Sequence, residues 1–396
     1  MREMKDSGIE WIGEIPKHWK CCKQKYGLTL LNGRAFKESE FLEDGKYKVL
    51  RVGNLFTNPI WHYSNLMLED NKYCQKGDLL YSWSMSYAPF IWSGDKVIYH
   101  YHIWKVLIDD ILCKKFVYYY LLALTEALYA EIHETTMGFI TMGIMNNSYL
   151  PYCNLEEQQQ IANFLDTQCS KIDATAEDIQ KEISLLEDYK KSVITEAVTK
   201  GLNPDAEMKD SGIEWIGEIP KEWSVVAVKH CFYINNGSDP ITDEGEIPVY
   251  GSGSKSFKTC KEFKEGPTVL LGRKGTINIP QWIESRYWNV DTAFDVKAKG
   301  NYDLKLFYYC AVCFDYERYT TQTALPSMTQ GDYKNFKIPY MNFYEQKDIV
   351  KFLDSKCSEI DTLIADKKRQ LDILADYKKS LIYEYVTGKK EVPVNE

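Results

Sequence analysis

Between Leu155 and Lys200 the apolar residues fall on a seven-residue beat. Leu165, Ile172, Ile179, Leu186 and Val193 form one stripe, flanked by Ala162, Cys169, Ala176, Ile183 and Ala197. Neither glycine nor proline occurs between Glu156 and Lys200. This predicts a long amphipathic helix with a seam for another helix. About 44 residues at 1.5 Å each give roughly 65 Å. Gly201, Asn203 and Pro204 then stop it. The pattern returns from Tyr344 to Val386 on Leu353, Ile360, Ile364, Leu371, Leu374 and Leu381. The two stripes are expected to pair antiparallel, placing two modules at opposite ends about a pseudo-two-fold axis. The other reading is a surface helix folded back on its own module.

Elsewhere the periodicity shortens. Leu79–Trp83 and Lys96–Val106 read as strands, rich in aromatic and β-branched residues, and Lys115–Ile132 reads as a helix. Turn signals stand at Leu31–Arg34 and at Lys76–Asp78. Residues 1–20 form a leading arm carrying Ile9, Trp11, Ile12, Ile15 and Trp19, and Pro16 forbids a long helix there.

The chain is a tandem repeat. MKDSGIEWIGEIPK at Met4–Lys17 returns letter for letter at Met208–Lys221. DYKKS at Asp188–Ser192 returns at Asp376–Ser380, and Phe164-Leu165-Asp166 returns as Phe352-Leu353-Asp354. Identical ends around a divergent middle predict one frame carrying two variable modules. The expected fold is α+β with an internal repeat: a first module over 1–154 (arm 4–19), a helix over 155–203, a second module over 204–342 (arm 208–223), a helix over 343–390, and a polar tail over 391–396.

Composition narrows the classes. No apolar run approaches the ~18 residues of a membrane span, and the N-terminus has no apolar signal region, so a cytoplasmic protein is expected. Eleven cysteines, odd in number and scattered, suit a reducing compartment. The lone pair Cys310-Ala-Val-Cys313 sits in an apolar helical stretch and reads as core, with no second pair at zinc-ligand spacing. The net charge of −9 argues against a self-sufficient nucleic-acid binder. A DNA-binding role would need local cations or a partner that neutralises phosphate. The 29 tyrosines suit half-wet interfaces or large cores with exposed rims.

Candidate contacts cluster in a few places. Gly272-Arg273-Lys274-Gly275-Thr276 combines permissive glycines with two cations and a hydroxyl, fit for phosphate or a guanine edge; a solvated hairpin turn is the alternative. Gly251-Ser-Gly-Ser-Lys-Ser256 lacks the glycine a phosphate loop places before its lysine, so it reads as a strand-end turn, with Ser252, Ser254 and Lys255 able to approach DNA. Lys255, Lys258, Lys261 and Lys264 make a cationic run for phosphate contact or simple solvation. Tyr81, Ser84, Ser86 and Tyr87 alternate around Trp83; one set faces a core and the other could face DNA. His100 and His102 lie two apart, on one face of the predicted strand. Without a third ligand they suit polar-face roles better than a metal, and no metal site is expected. Arg34 and Arg51 are further candidate DNA contacts.

Several segments resemble the specificity subunit of Type I restriction–modification systems. GDLLYSWSMSYAPFIW at Gly77–Trp92 and HYHIWKV at His100–Val106 look like one variety of that family's target-recognition domain. IPVYGSGS at Ile247–Ser254, LLGRKGTI at Leu270–Ile277 and WNVDTAF at Trp288–Phe294 look like another. LPSMTQGDYKNFKIPY at Leu325–Tyr340, LEEQQQIANFLD at Leu155–Asp166 and YEQKDIVKFLD at Tyr344–Asp354 resemble the approaches to its spacer helices. The resemblance implies two target-recognition domains, each reading half of a bipartite site in double-stranded DNA, and two antiparallel helices that fix the spacing. It implies two modification subunits that methylate adenine, and restriction subunits that can join them. S-adenosylmethionine, ATP and Mg2+ would belong to those partners, with no cofactor and no catalysis in this chain. Such a methyltransferase would carry Asn-Pro-Pro-aromatic, whereas the Asn-Pro pairs here continue as Asn58-Pro59-Ile60 and Asn203-Pro204-Asp205. The alternative is a coiled-coil adaptor without DNA reading.

Overall fold

A computed structural model describes residues 2–84, 86–134, 140–317 and 326–393. Met85, Leu325 and the end of the polar tail, all parts of segments read above, lie outside them. The chain divides into two compact units. One holds Met1–Asp178 with Gln370–Glu396, the other Ile179–Arg369. The division cuts both long helices, so each unit contains the start of one and the end of the other.

The helices span Leu155–Lys200 and Phe343–Val386. Each starts on an asparagine: the Glu157 amide donates to Asn154 Oδ1 at 2.9 Å, and the Glu345 amide to Asn342 Oδ1 at 3.0 Å. These caps satisfy amides that have no partner inside the helix. Each ends in a left-handed glycine, Gly201 at φ 74° and Gly388 at φ 73°. A Cβ there would meet the leading-arm tryptophan, Trp223 at 3.0 Å or Trp19 at 3.1 Å. The glycine thus ends the helix and lets the tryptophan close over the end.

Within each unit the helix segments pair antiparallel. In the first, Lys378 Nζ meets Asp173 Oδ1 at 2.6 Å, and the Phe164 and Tyr385 rings lie 4.6 Å apart. In the second, Lys190 meets Asp361 at 2.7 Å and Lys367 meets Glu182 at 2.5 Å. Lys190–Asp361 is the repeat image of Lys378–Asp173. These exposed pairs contribute at most about 1 kcal/mol each. Burial of Leu165, Ile172, Ile179, Leu353, Ile360, Ile364 and Leu381, at about 1.5–3 kcal/mol per side chain, is the larger force. Leu186, Val193, Leu371 and Leu374 on the same seam are half-buried.

Both units are α+β and built alike. In the first, an antiparallel sheet runs in the order Leu28–Asn32, Ile103–Ile108, Leu79–Ser82, Ala88–Ile91. In the second the order is Phe232–Asn236, Ala293–Ala298, Thr268–Gly272, Gln281–Ile283. A smaller mixed sheet accompanies each. In it Val97–Tyr99 runs parallel to Tyr47–Leu50, and Trp288–Asn289 parallel to Ile247–Tyr250. The apolar helices Lys114–Glu134 and Leu304–Val312 tie each module to a long helix. Tyr119 donates to Asp166 at 2.8 Å, and Tyr309 to Asp354 at 2.6 Å. Buried Gln158 accepts from the Cys113 amide at 2.8 Å and donates to the Ile111 and Cys153 carbonyls. Gln346 accepts from Asp303 and donates to Met341 in the same way.

One predicted strand is corrected. Lys96–Val106 is two strands in different sheets, Val97–Tyr99 and Ile103–Ile108. The Ile103 amide bonds back to the His100 carbonyl at 2.9 Å, so residues 100–102 form a turn. Cys310 and Cys313 lie in or against the apolar core of the second unit. All eleven cysteines are free.

Gln158→Ala strands one buried amide and two carbonyls. Chemical denaturation should show a loss of about 2 kcal/mol or more, against a change within about 0.5 kcal/mol for Leu185→Ala, whose side chain is exposed.

Candidate nucleic-acid interface

In each module the two sheets meet at the turn that links a strand of one to a strand of the other. In the first module this turn is His100-Tyr101-His102. The Arg34 amide bonds the Tyr99 carbonyl at 3.0 Å, the Tyr101 amide the Arg34 carbonyl at 3.0 Å, and the His100 amide the Leu50 carbonyl at 2.9 Å. This collects Arg34, Arg51, His100 and His102, which are far apart in sequence. A Cβ on Gly33 would lie 2.2 Å from the Tyr99 carbonyl oxygen, so only glycine lets the strands approach this closely.

The cluster is cationic and aromatic. Arg34 lies 4.6 Å from the Phe36 ring centre, Arg51 5.4 Å from Phe41, and Phe36 stacks on Phe41 at 5.4 Å. Phe41 also meets His62 at 4.6 Å. Arg34 pairs with Glu40 at 2.6 Å, whereas Arg51 is exposed. The His100 and His102 rings are 4.9 Å apart on the turn, with Tyr101 between them at 4.6 and 3.9 Å. They share a turn, not the strand face expected from their spacing. Burial first, then His102 and Arg51, lower the His100 pKa to about 4. His102 is lowered by burial and Arg51. Both rings are neutral at neutral pH and can each donate and accept one hydrogen bond.

The tyrosine–serine run divides. Tyr81 is wholly buried, bonds Thr125 at 2.9 Å and stacks on Trp104 at 5.8 Å, so it is core and cannot touch DNA. Ser84 and Ser86 lie half-buried in a tight turn, the Ser86 amide donating to the Ser84 carbonyl at 2.8 Å. Tyr87 packs on Tyr129 at 5.5 Å. Trp83 stacks on Trp104 at 5.6 Å and donates from its indole to the Tyr101 carbonyl at 2.8 Å.

In the second module the loop Gly272–Thr276 is built for stiffness. A Cβ on Gly272 would lie 2.2 Å from the Thr276 carbonyl oxygen, so only glycine lets the loop close on itself here. Tyr333 donates to the Gly272 carbonyl at 2.7 Å, and Gly275 sits at φ 81°. Arg273 remains 39% exposed, donates to the Asp291 carbonyl at 3.2 Å and lies 3.7 Å from the Asp291 carboxylate. Lys274 is exposed beside it. A cavity of about 280 Å³ lined by Arg273, Lys274 and Asn236 opens there. Ser254 and Lys255 are exposed and Ser252 is half-buried on the separate loop after Tyr250. The lysine run is not uniform: Lys264 bonds Asn289 at 2.7 Å and nearly inaccessible Asp295 at 2.5 Å, so it is structural.

Sequence reasoning did not single out Phe36, Phe41, His62, Tyr101 or Asp291. Asp291 stands inside the quoted WNVDTAF segment, but only the fold brings it to Arg273.

A family profile described as the Type I restriction modification DNA specificity domain matches residues 16–185 and 220–372. The chain belongs to this family. The family is named for DNA specificity in type I restriction–modification systems, and specificity subunits are generally non-catalytic. The chain is 22% identical over 261 residues to the type I restriction enzyme EcoBI specificity subunit of Escherichia coli, covering 62% of this chain and 55% of that protein. The chain thus spans about half the length of that relative. It is 26% identical over 437 residues to the putative type I restriction enzyme MjaX specificity subunit of Methanocaldococcus jannaschii, covering 96% of each. A chain from a solved type I R-M system shares the fold, with a TM-score of 0.70 at 12% identity over 95% of this chain and 99% of that one. No helix among the described residues is long and apolar enough to cross a membrane.

His100 gives a signed pH prediction. Its folded pKa of about 4 lies below its ordinary 6.5, so the unfolded chain takes up the proton first as pH falls. Its contribution to stability is complete above pH 6.5 and is lost as pH falls towards 4. A His100→Gln chain should therefore lose stability less steeply over that window, as read from denaturation midpoints. Equal slopes would put the ring in water.

Proposed function

We propose that each module reads one half of a bipartite DNA site, that the paired helices set the gap, and that modification subunits dock on this chain, two per complex. The observation that carries this reading is one backbone frame, built twice, that presents unlike side chains at matching places. The modification subunits supply S-adenosylmethionine and the methyl transfer to adenine. Restriction subunits, with ATP and Mg2+, join the same assembly. The chain itself performs no catalysis, binds no cofactor and acts in the cytoplasm, where the DNA is. Its net charge of −9 fits a reader whose partners provide much of the phosphate neutralisation. An adaptor without sequence reading is not favoured, because the family is defined by DNA specificity.

The test is genome-wide adenine methylation in cells holding this chain and its modification subunit, compared with cells lacking the chain. A split motif with a fixed gap is expected only in the first, and methylation that persists unchanged without the chain would remove the role. Adding one heptad to each long helix lengthens the spacer by about 10 Å, or about three base pairs at 3.4 Å each. The half-site letters should persist while the gap grows. Exchanging residues 21–154 for another reader should change one half-site alone; changes in both would contradict modularity.

A further inference from the structure

The two modules match in their backbone hydrogen bonds. In the first, the Trp83 amide donates to the His102 carbonyl at 3.1 Å; in the second, the Arg273 amide donates to the Thr292 carbonyl at 2.7 Å. Arg34 and Ser238 donate to the carbonyls of Tyr99 and Asn289, both at 3.0 Å. The His100 and Val290 amides donate to Leu50 and Tyr250 at 2.9 and 3.0 Å. Gly33 and Gly237 are both closed against a carbonyl oxygen, at 2.2 and 2.1 Å from where a Cβ would stand. The side-chain bond is shared too. The Trp83 indole donates to the Tyr101 carbonyl at 2.8 Å and the Arg273 guanidinium to the Asp291 carbonyl at 3.2 Å.

The chemistry at these matching positions differs throughout. The first module offers Arg34, Trp83, Tyr101 and His102; the second offers Ser238, Arg273, Asp291 and Thr292. A side chain anchored at one end by the same bond, yet changed from indole to guanidinium, holds a fixed place while altering what it can recognise. Two of these eight carry a fork of donors matched to a guanine edge: Arg34 is tied to Glu40 at 2.6 Å, whereas Arg273 keeps 39% of its side chain exposed and lies 3.7 Å from Asp291, which limits its rotamers.

We infer that Trp83 and Arg273 occupy one and the same reading position on the two modules, and that Arg273, oriented by Asp291, reads a guanine in the half-site of the second module. This rests on the paired-reader function proposed above. In the first module the position carries a flat indole, and the adjoining Tyr101 and His102 present the polar groups. Asp291 is a positioning residue.

The experiment uses the full chain with its modification subunit and maps adenine methylation. Arg273→Lys keeps the charge and removes the fork. It should lower the preference for guanine at one position of one half-site by about 5- to 150-fold, with the other half-site and the gap unchanged. Asp291→Asn should weaken the same preference less. An unchanged motif at wild-type level overturns the inference. A uniform fall at all sites without a change of letter makes Arg273 a phosphate contact and also overturns it. If Arg273→Lys abolishes methylation, the purified complex is tested against duplexes varied at each base pair. Lost discrimination at one guanine supports the inference, and retained discrimination overturns it. Absence of any split motif with the unmodified chain would sink the paired-reader function itself, a result separate from these.

Discussion

The antiparallel seam between the long helices is the constraint on which the rest depends. Each unit contains the beginning of one helix and the end of the other, so neither half of the repeat closes a unit alone. The force is apolar burial along the seam. Ion pairs such as Lys378–Asp173 and Lys190–Asp361 are exposed and weak, and they fix register more than stability. The same arrangement explains the repeated arm. Trp19 and Trp223 close over a helix end, and a left-handed glycine leaves the room: at Gly201 a Cβ would meet Trp223 at 3.0 Å, and at Gly388 it would meet Pro16 at 2.5 Å and Trp19 at 3.1 Å.

On that seam the modules are held through few but buried polar links. Gln158 and Gln346 bond the backbone before the module helices, and Tyr119 and Tyr309 reach Asp166 and Asp354. Buried donors and acceptors of this kind are costly to leave unpaired, which makes the join between module and helix geometrically strict. A reader mounted this way keeps its place relative to its own helix segment. At the turns between the two sheets, Arg34, Arg51 and His100 gather in one module, and Arg273 and Asp291 in the other.

The repeat, the two long helices, the α+β character and the cationic loop at Arg273 were all legible in the letters alone. Seven-residue periodicity and identical segments are one-dimensional signals with direct physical meaning. Whether a side chain faced the core or solvent was not legible in short aromatic runs. Tyr81 looked like a contact and is wholly buried, because its strand is covered on both faces. Lys264 looked like a surface cation and neutralises a nearly inaccessible aspartate, Asp295. His100 and His102 shared a place for a different reason than their spacing suggested, since a turn between two sheets, not a strand, sets their rings side by side.

What the sequence by itself determined is the architecture: two unlike modules on a duplicated helical frame, and the family to which that pattern points. Periodicity carries the helices, because a stripe of apolar residues must be buried against something of matching length; the identical segments carry the duplication, and the family rests on the resemblance of the segments between them. What only the tertiary structure decided is the equivalence of Trp83 with Arg273 and of Tyr101 with Asp291. Their letters share nothing, and the match exists in backbone hydrogen bonds between strands distant in the chain, where side-chain identity leaves no trace.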